Sequence, residues 1–539
     1  MTMSVSAEST SPWTWSLEGI APPWSDRPSL YQHILAHIRP GEPGLAAGGE
    51  ELPDQELVEE GQKVRWAPGA LDGVFGHHTE GGEPEETAEE VLEALRAFTR
   101  KASGERAAAL YHLLAGGTAI EYVDHLLSAV LADDRLLLDR VRAVARWIAT
   151  GAPDREAVKI AIALLGLFRD GLDRDLLLAL GRHEELTLYT AVALGNSGEQ
   201  PARILWELAR NVNGWGRIQA VERLAGAADP EVAAWLLREG YRNSILYEYT
   251  ALTCASAGNL IGVLRDPDPD EALLVGAGEI LTTLIRGREG PAEGIGEYPE
   301  GAEAAELYLG HLRRRPCLGI EHLLAADAIR KFLDEEDGEA QDPDLGWPQR
   351  RDAILEHAKA VLARPEWPEI VERELTSSEP QTFHHAAAAA QALGFDVWDL
   401  YFERLERGED MWYFVMQTDD PERIDRVVAL AEERLPLDRI AAGPGEELGL
   451  GPRFRDHSAL DFVLQDLQRF PGQGWPLLRA GLQSPVIGNR NMAARALAAW
   501  DRSAWPPEAE FLLRSALAHE PYEPTRELLG KVIAGEPPE

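Results

Sequence analysis

Cysteine is nearly absent from this chain of 539 residues, which has only Cys254 and Cys317. Two thiols that far apart, each in an apolar helical context, supply neither a disulfide framework nor the four ligands of a structural zinc site. A reducing cytoplasm fits that usage. Lysine is also scarce, at positions 63, 101, 159, 331, 359 and 531, so that nearly all of the 52 basic residues are arginine. Long apolar runs are missing. The longest, Ile160 to Phe168, falls well short of the roughly 18 residues a membrane helix needs. The start, MTMSVSAESTSPWTWSLEG, has neither the basic nor the apolar stretch of a secretory signal. Positive charge is in deficit, with 91 acidic against 52 basic residues and a net charge of −39. Such a field repels phosphate backbones and anionic lipid headgroups, so neither nucleic acid nor membrane is an expected partner. It leaves room for a cationic one.

The motifs of common chemistries are missing too. No Walker loop, H-E-x-x-H or G-x-S-x-G run occurs. None of the 14 histidines has Glu three residues before it, as carboxylate-bridged di-iron bundles require. His77-His78 and His384-His385 are adjacent pairs. Neighbouring helical positions point about 100° apart, so neither pair aims both rings at one metal. Gly443, Gly445, Gly449 and Gly451 have the wrong spacing for a dinucleotide loop and no strand before them. Asp266, Asp268 and Asp270 imitate the start of a calcium loop. Position six is Glu271 where Gly is needed, and position twelve is Ala277 where Glu is needed, so the run reads as a turn into a helix. The acidic run 334–344 fails the same register. No catalytic residue, metal ligand or cofactor site is expected.

What is present is helix, repeated. Leu273, Leu274, Ala277, Ile280, Leu281, Leu284 and Ile285 fall on one helical stripe, as do Ile424, Val427, Val428 and Ala431. Asp229-Pro230 and Asp420-Pro421 read as helix starts, the Asp capping free N–H groups and the Pro fitting the first turn. Gly240, Gly258 and Gly394 follow helices and suit left-handed C-terminal caps. Alternating β-runs are lacking. Helices of 10–18 residues joined by short turns predict antiparallel hairpins, each pair spanning roughly 30–45 residues. The expected fold is all-α, an α-solenoid of stacked helix pairs over 87–539. It is preceded by an irregular Trp- and Pro-rich segment, 1–86, that packs on or caps the array and carries one helix near 29–38.

Residues 87–535 resemble HEAT-like repeat proteins in helix length, turn chemistry and the Asp-Pro starts. That resemblance implies an armadillo-like array with a concave binding face. More narrowly, NVNGWGRIQAVERLAG (211–226) and WLLREGYRNSILYEYTALTCASAGNL (235–260) resemble a group of uncharacterised bacterial solenoid proteins, some of which carry the name limonene hydroxylase. That name implies oxygen activation by haem, non-haem iron or flavin. Around Cys317, only Arg315 and Gly319 match the haem-thiolate pattern, and a packed cysteine at a helix start is the competing reading.

The candidate binding residues are Trp215, Arg217, Glu222, Arg223, Arg242, Asn243, Tyr247 and Glu248. Equivalent helices of a solenoid stack side by side, so these either line a ligand groove or form a supporting ladder. Trp398, Tyr401, Phe402, Trp412, Tyr413 and Phe414 read as core, and Asn489, Arg490 and Asn491 as a helix cap. The expected function is a scaffold that binds a protein or peptide partner on its concave face, its oligomeric state left open. The alternatives are an oxidoreductase of the hydroxylase type and a scaffold without a specific groove. A deep, isolated polar pocket with convergent acid and base groups is the observation that would argue against partner binding.

Overall fold

A computed structural model describes residues 15–59, 67–72, 84–196, 198, 200–287, 290, 292–316, 319–335 and 338–537. Trp13, Trp66, the His77-His78 pair and Cys317 lie outside the described residues, as does part of the acidic run 334–344. The fold is all-α. Among the described residues no strand forms, and only two isolated bridge pairs occur, Ile38 with Leu45 and Glu447 with Val486. The chain divides into two compact units, Met1–Ala389 and Ala390–Glu539.

In the first unit, helices touch their next-but-one neighbours in an unbroken row. The row runs through Pro84–Arg100, Ala119–Ala132, Arg155–Leu165, Glu184–Gly195, Trp215–Glu222, Glu248–Ala257, Glu271–Gly287, Ile320–Asp334 and Trp367–Leu375. Helices between them, such as Leu138–Gly151 and Pro201–Ala209, pair with row members. Contact between every second helix is what stacked antiparallel pairs produce. The Asp-Pro starts behave as capping chemistry demands: Asp229 accepts from the Glu231 N–H and Asp420 from the Glu422 N–H.

The C-terminal glycines divide. Gly394 takes the left-handed conformation, with φ +84°. Gly240 and Gly258 do not. Gly240 closes a π-helical turn, Leu236–Gly240, and Gly258 keeps a right-handed φ of −73°. Their lack of a side chain serves close approach: a Cβ on Gly258 would lie 2.5 Å from the Cys254 carbonyl oxygen. The left-handed turn passes to Asn259, at φ +54°. Asparagine tolerates that region because its short side chain bonds locally, here accepting from the Gly262 N–H. The next helix starts only at Glu248, because Asn243 captures the Ile245 and Leu246 N–H groups on its Oδ1 and closes a loop.

The N-terminal segment packs on the early helices. Trp24 lies against Trp147 and Tyr111, with ring centroids 4.6 and 5.3 Å away. Leu30 and Ile34, on the Leu30–His37 helix, are fully buried. In the second unit the aromatic cluster is core: Tyr401 stacks on Phe414 at 4.7 Å and Trp398 on Phe402 at 5.0 Å. Asn489 and Arg490 do not cap their helix. Asn489 donates to Asp461 Oδ1 and the His457 carbonyl, while the fully buried Arg490 forms an ion pair with Glu520 at 2.7 Å. The helix start there has no side-chain cap, because Val486 at the cap position carries no acceptor, and Asn489 and Arg490 are turned inward to their own buried partners.

Candidate functional site

The Arg155–Leu165 helix is buried over almost its whole surface, including Arg155 and Lys159. Buried cations must find carboxylates, because desolvation otherwise drives them neutral. Arg155 finds Asp54, which accepts from its backbone N–H at 2.7 Å and pairs with its guanidinium at 3.0 Å. Lys159, only 2% exposed, finds three: Asp72 at 2.8 Å, Glu156 at 2.9 Å and Glu185 at 2.8 Å.

Each carboxylate is fixed by its own element. Glu156 accepts from the Ala119 N–H at the start of the Ala119–Ala132 helix. Glu185, in the first turn of Glu184–Gly195, accepts from the Gly69 N–H at 2.9 Å. That bond hooks residues 67–72 onto the helix row and brings Asp72 to Lys159. Gly69 is required there twice over. Its φ is +74°, and a Cβ would lie 2.6 Å from the Glu184 carbonyl oxygen. Ala70 rests on Trp215 and Ile218, so Trp215 anchors the segment that carries Asp72. Glu184, next door, accepts from the Gly214 N–H at 2.6 Å and seats the Trp215–Glu222 helix. A side chain at Gly214 would collide with that carboxylate.

The environments split the titrations. Burial alone would lower the Lys159 pKa, but Glu185, Glu156 and Asp72 carry it well above its ordinary value, so the ammonium stays charged. Burial pushes Glu185 up, while Lys159 and Arg155 overrule it and hold it at about 2. Asp72 goes the other way. Burial, with Glu185 and Glu156 close by, raises it to about 6 against the pull of Lys159. His183 is fully buried and falls to about 4. Its ring reads as one neutral tautomer: Nε2 donates to the Glu50 carbonyl at 3.2 Å, and Nδ1 accepts from the Glu185 N–H.

These groups face a cavity of about 880 Å³. Among the described residues, Glu50, Glu51, Asp72, Glu156 and Glu185 line it against Arg155 and Lys159, with Gln55, Thr118 and His183. A second cavity of about 310 Å³ lies beside it, and Asp72 and Ile120 line both. The second is mostly apolar, walled by Val123, Leu127, Ala163, Leu167, Leu188 and Val192 among others. Tyr189 also lines it; its hydroxyl is buried and has no hydrogen-bond partner among the described residues. Lys159 Nζ lies 5.6 Å from the centre of the Tyr189 ring. Among the described residues no three His, Cys, Asp or Glu side chains are placed to share a metal ion. The cation at the centre of this cluster is the lysine itself. Chemically, the arrangement offers one group able to exchange a proton near neutral pH, Asp72, flanked by charges that are pinned.

The eight residues singled out in the sequence spread over neighbouring structure. Glu222 and Arg223 line the apolar cavity, with Arg223 donating to the Gln219 carbonyl and side chain. Trp215 is the anchor just described. Arg217 donates to the carbonyls of Val212, Glu239 and Arg242 and lies over the Trp235 ring. Arg242 pairs with Glu279 at 3.1 Å, Asn243 closes the loop before Glu248–Ala257, and Tyr247 meets Tyr241 edge-on. Glu248 opens its helix against Gly287. Arg217 and Arg242 thus act as a ladder between adjacent pairs, while Asn243 bonds within its own loop and to Thr250 just after it. Lys159, Glu185 and Asp72 were missed. The signal available was Lys159 itself, one of six lysines, set immediately before the longest apolar run in the chain.

No protein-family model matches the chain, and no curated protein matches it. Among solved structures, a crystal structure of an engineered protein from the Northeast Structural Genomics Consortium aligns over 83% of this chain and 98% of its own. Its sequence identity is 16% and its TM-score 0.21, a likeness too loose to carry any argument.

Proposed function

We propose that this chain is a HEAT-like helical-repeat protein that binds an organic cation, with Asp72 as the group that recognises it. One observation carries the reading: a buried carboxylate with a pKa of about 6 stands where a strongly acidic cavity meets an apolar one. Holding such a group ionised in the core costs stability, and perturbed acids that face cavities are functional-site candidates. The charge imbalance of the larger cavity favours a positive head. The apolar cavity, with the unsatisfied Tyr189 hydroxyl, favours an attached hydrocarbon or aromatic part. A proton shared between Asp72 and a bound amine would make the site an acid–base centre as well as a receptor.

Thermal shift and calorimetry with benzylammonium and with its neutral isostere benzyl alcohol test this at pH 7.5. The cation is expected to bind and raise Tm, and Asp72→Asn to weaken binding at least about tenfold, the scale of one lost charge-assisted contact. Equal binding of both compounds, or full binding by the variant, would sink the proposal. The peptide-partner reading stands second, favoured by the net charge of −39, with a lysine or arginine side chain of the partner as the cation. A basic peptide that binds while free amines fail selects it.

A further inference from the structure

A different cavity, about 1030 Å³ in volume, has the opposite character. It lies between the 41–43 turn and the helices Arg174–Leu180 and Pro201–Ala209, and four arginines line it: Arg174, Arg182, Arg203 and Arg210. Among the described residues, Glu42 and Glu207 are the acids that line it. In a chain carrying 91 acidic residues, a concave site with this balance is unusual. Its geometry follows from helical spacing. Positions 200, 203, 207 and 210 recur on one face, so Arg203 and Arg210 project along one side.

Two of the arginines are spoken for. Arg174 pairs with Glu207 at 2.6 Å, and Arg203 pairs with Asp229 at 2.6 Å and Glu231 at 3.0 Å. The other two have no carboxylate partner among the described residues. Arg182 forms no ion pair among the described residues; it donates to the Glu42 carbonyl at 3.3 Å, and burial lowers its pKa against the pull of Glu207. Arg210 lies over the Trp206 ring at 5.1 Å, which fixes the guanidinium plane without neutralising it.

We infer that this cavity is a second ligand site, specific for a small multivalent oxyanion, held by Arg182 and Arg210. Planar guanidinium groups bind phosphate and carboxylate oxygens in pairs. The site is independent of the Asp72 cavity, and its occupant carries the opposite charge. Arg174 and Arg203 keep their partners and set the rim.

The test is calorimetry on the full chain with pyrophosphate and, separately, citrate at low ionic strength. The parent is expected to bind at one site, with Arg182→Gln and Arg210→Gln each weakening binding about tenfold or more. Arg265→Gln, at an exposed arginine elsewhere that pairs with Glu303, is expected to bind as the parent does. Circular dichroism melting is expected to be unchanged for Arg210→Gln, since that side chain is exposed. Binding of pyrophosphate alone assigns phosphate chemistry, and binding of both assigns oxyanions generally. Binding of neither anion, or parent-like affinity in both arginine variants, overturns the inference.

Discussion

At the scale of single residues, Asp72 and His183 oppose each other in their response to pH. The Asp72 carboxyl is raised from 3.8 to about 6, so its ionisation weighs against the fold by about 3 kcal/mol above pH 6, and that burden vanishes below pH 3.8. The His183 pKa is lowered from 6.5 to about 4, so its burial as a neutral ring contributes about 3 kcal/mol above pH 6.5, lost as pH falls through 4. Between those limits the two largely cancel. Asp72→Asn removes one and exposes the other. The variant is expected to be more stable than the parent at pH 8, to match it near pH 3.8, and to show a steeper loss between pH 6.5 and 4. Urea denaturation across that range checks it, and a variant no more stable than the parent at pH 8 contradicts it. Lys159→Met leaves three carboxylates facing one another. It is expected to cost about 3–5 kcal/mol at pH 7.5 and visibly less at pH 5.5, where Asp72 takes up a proton. An equal loss at both pH values would show that the lysine serves packing alone. This cluster was hard to read in sequence because its members come from 72, 156, 159 and 185. Only Glu156 and Lys159, three residues apart on one helix, share a short spacing, and the lone lysine beside an apolar run is the other signal.

At the scale of elements, the sequence reads well wherever the cause is local. Asp229-Pro230 and Asp420-Pro421 start helices through contacts within two residues, and the stripe on Glu271–Gly287 buries as its period requires. Where the cause is distant, the reading fails. The π turn at Leu236–Gly240 lies against Glu271–Gly287, where a Cβ on Gly276 would sit 1.9 Å from the Leu237 carbonyl oxygen. Neither position signals the other in sequence. In an ordinary exposed helix Gly→Ala gains about 1 kcal/mol. Here Gly276→Ala is expected to lose about 2 kcal/mol or more through overpacking, measured by chemical denaturation; a stabilised variant would mean the helices lie further apart. The same distinction explains the candidate site. Equivalent helices do stack side by side, as the repeat pattern implies, and three of the eight expected residues reach a cavity: Glu222 and Arg223 the apolar one, and Arg242 another of about 540 Å³. The charged centre sits on the helices just before them, where the side chains looked like core.

At the scale of the whole molecule, the net charge of −39 repels itself. Salt screens that repulsion, with a Debye length of about 10 Å at 0.1 M falling to about 3 Å at 1 M. Tm is expected to rise between low and moderate sodium chloride, by scanning calorimetry. A fall would show that the surface ion pairs, such as Arg174–Glu207 and Arg203–Asp229, outweigh the net repulsion.

The burial of Lys159 has a practical consequence for following this protein in solution. Amine-reactive reagents need an accessible, deprotonated nitrogen, and this ammonium is enclosed and held in its charged form. In the native chain it is therefore a silent amine. Its modification, read by peptide mass, clocks the rate at which this part of the helix row opens, and a ligand seated against Asp72 should slow that clock.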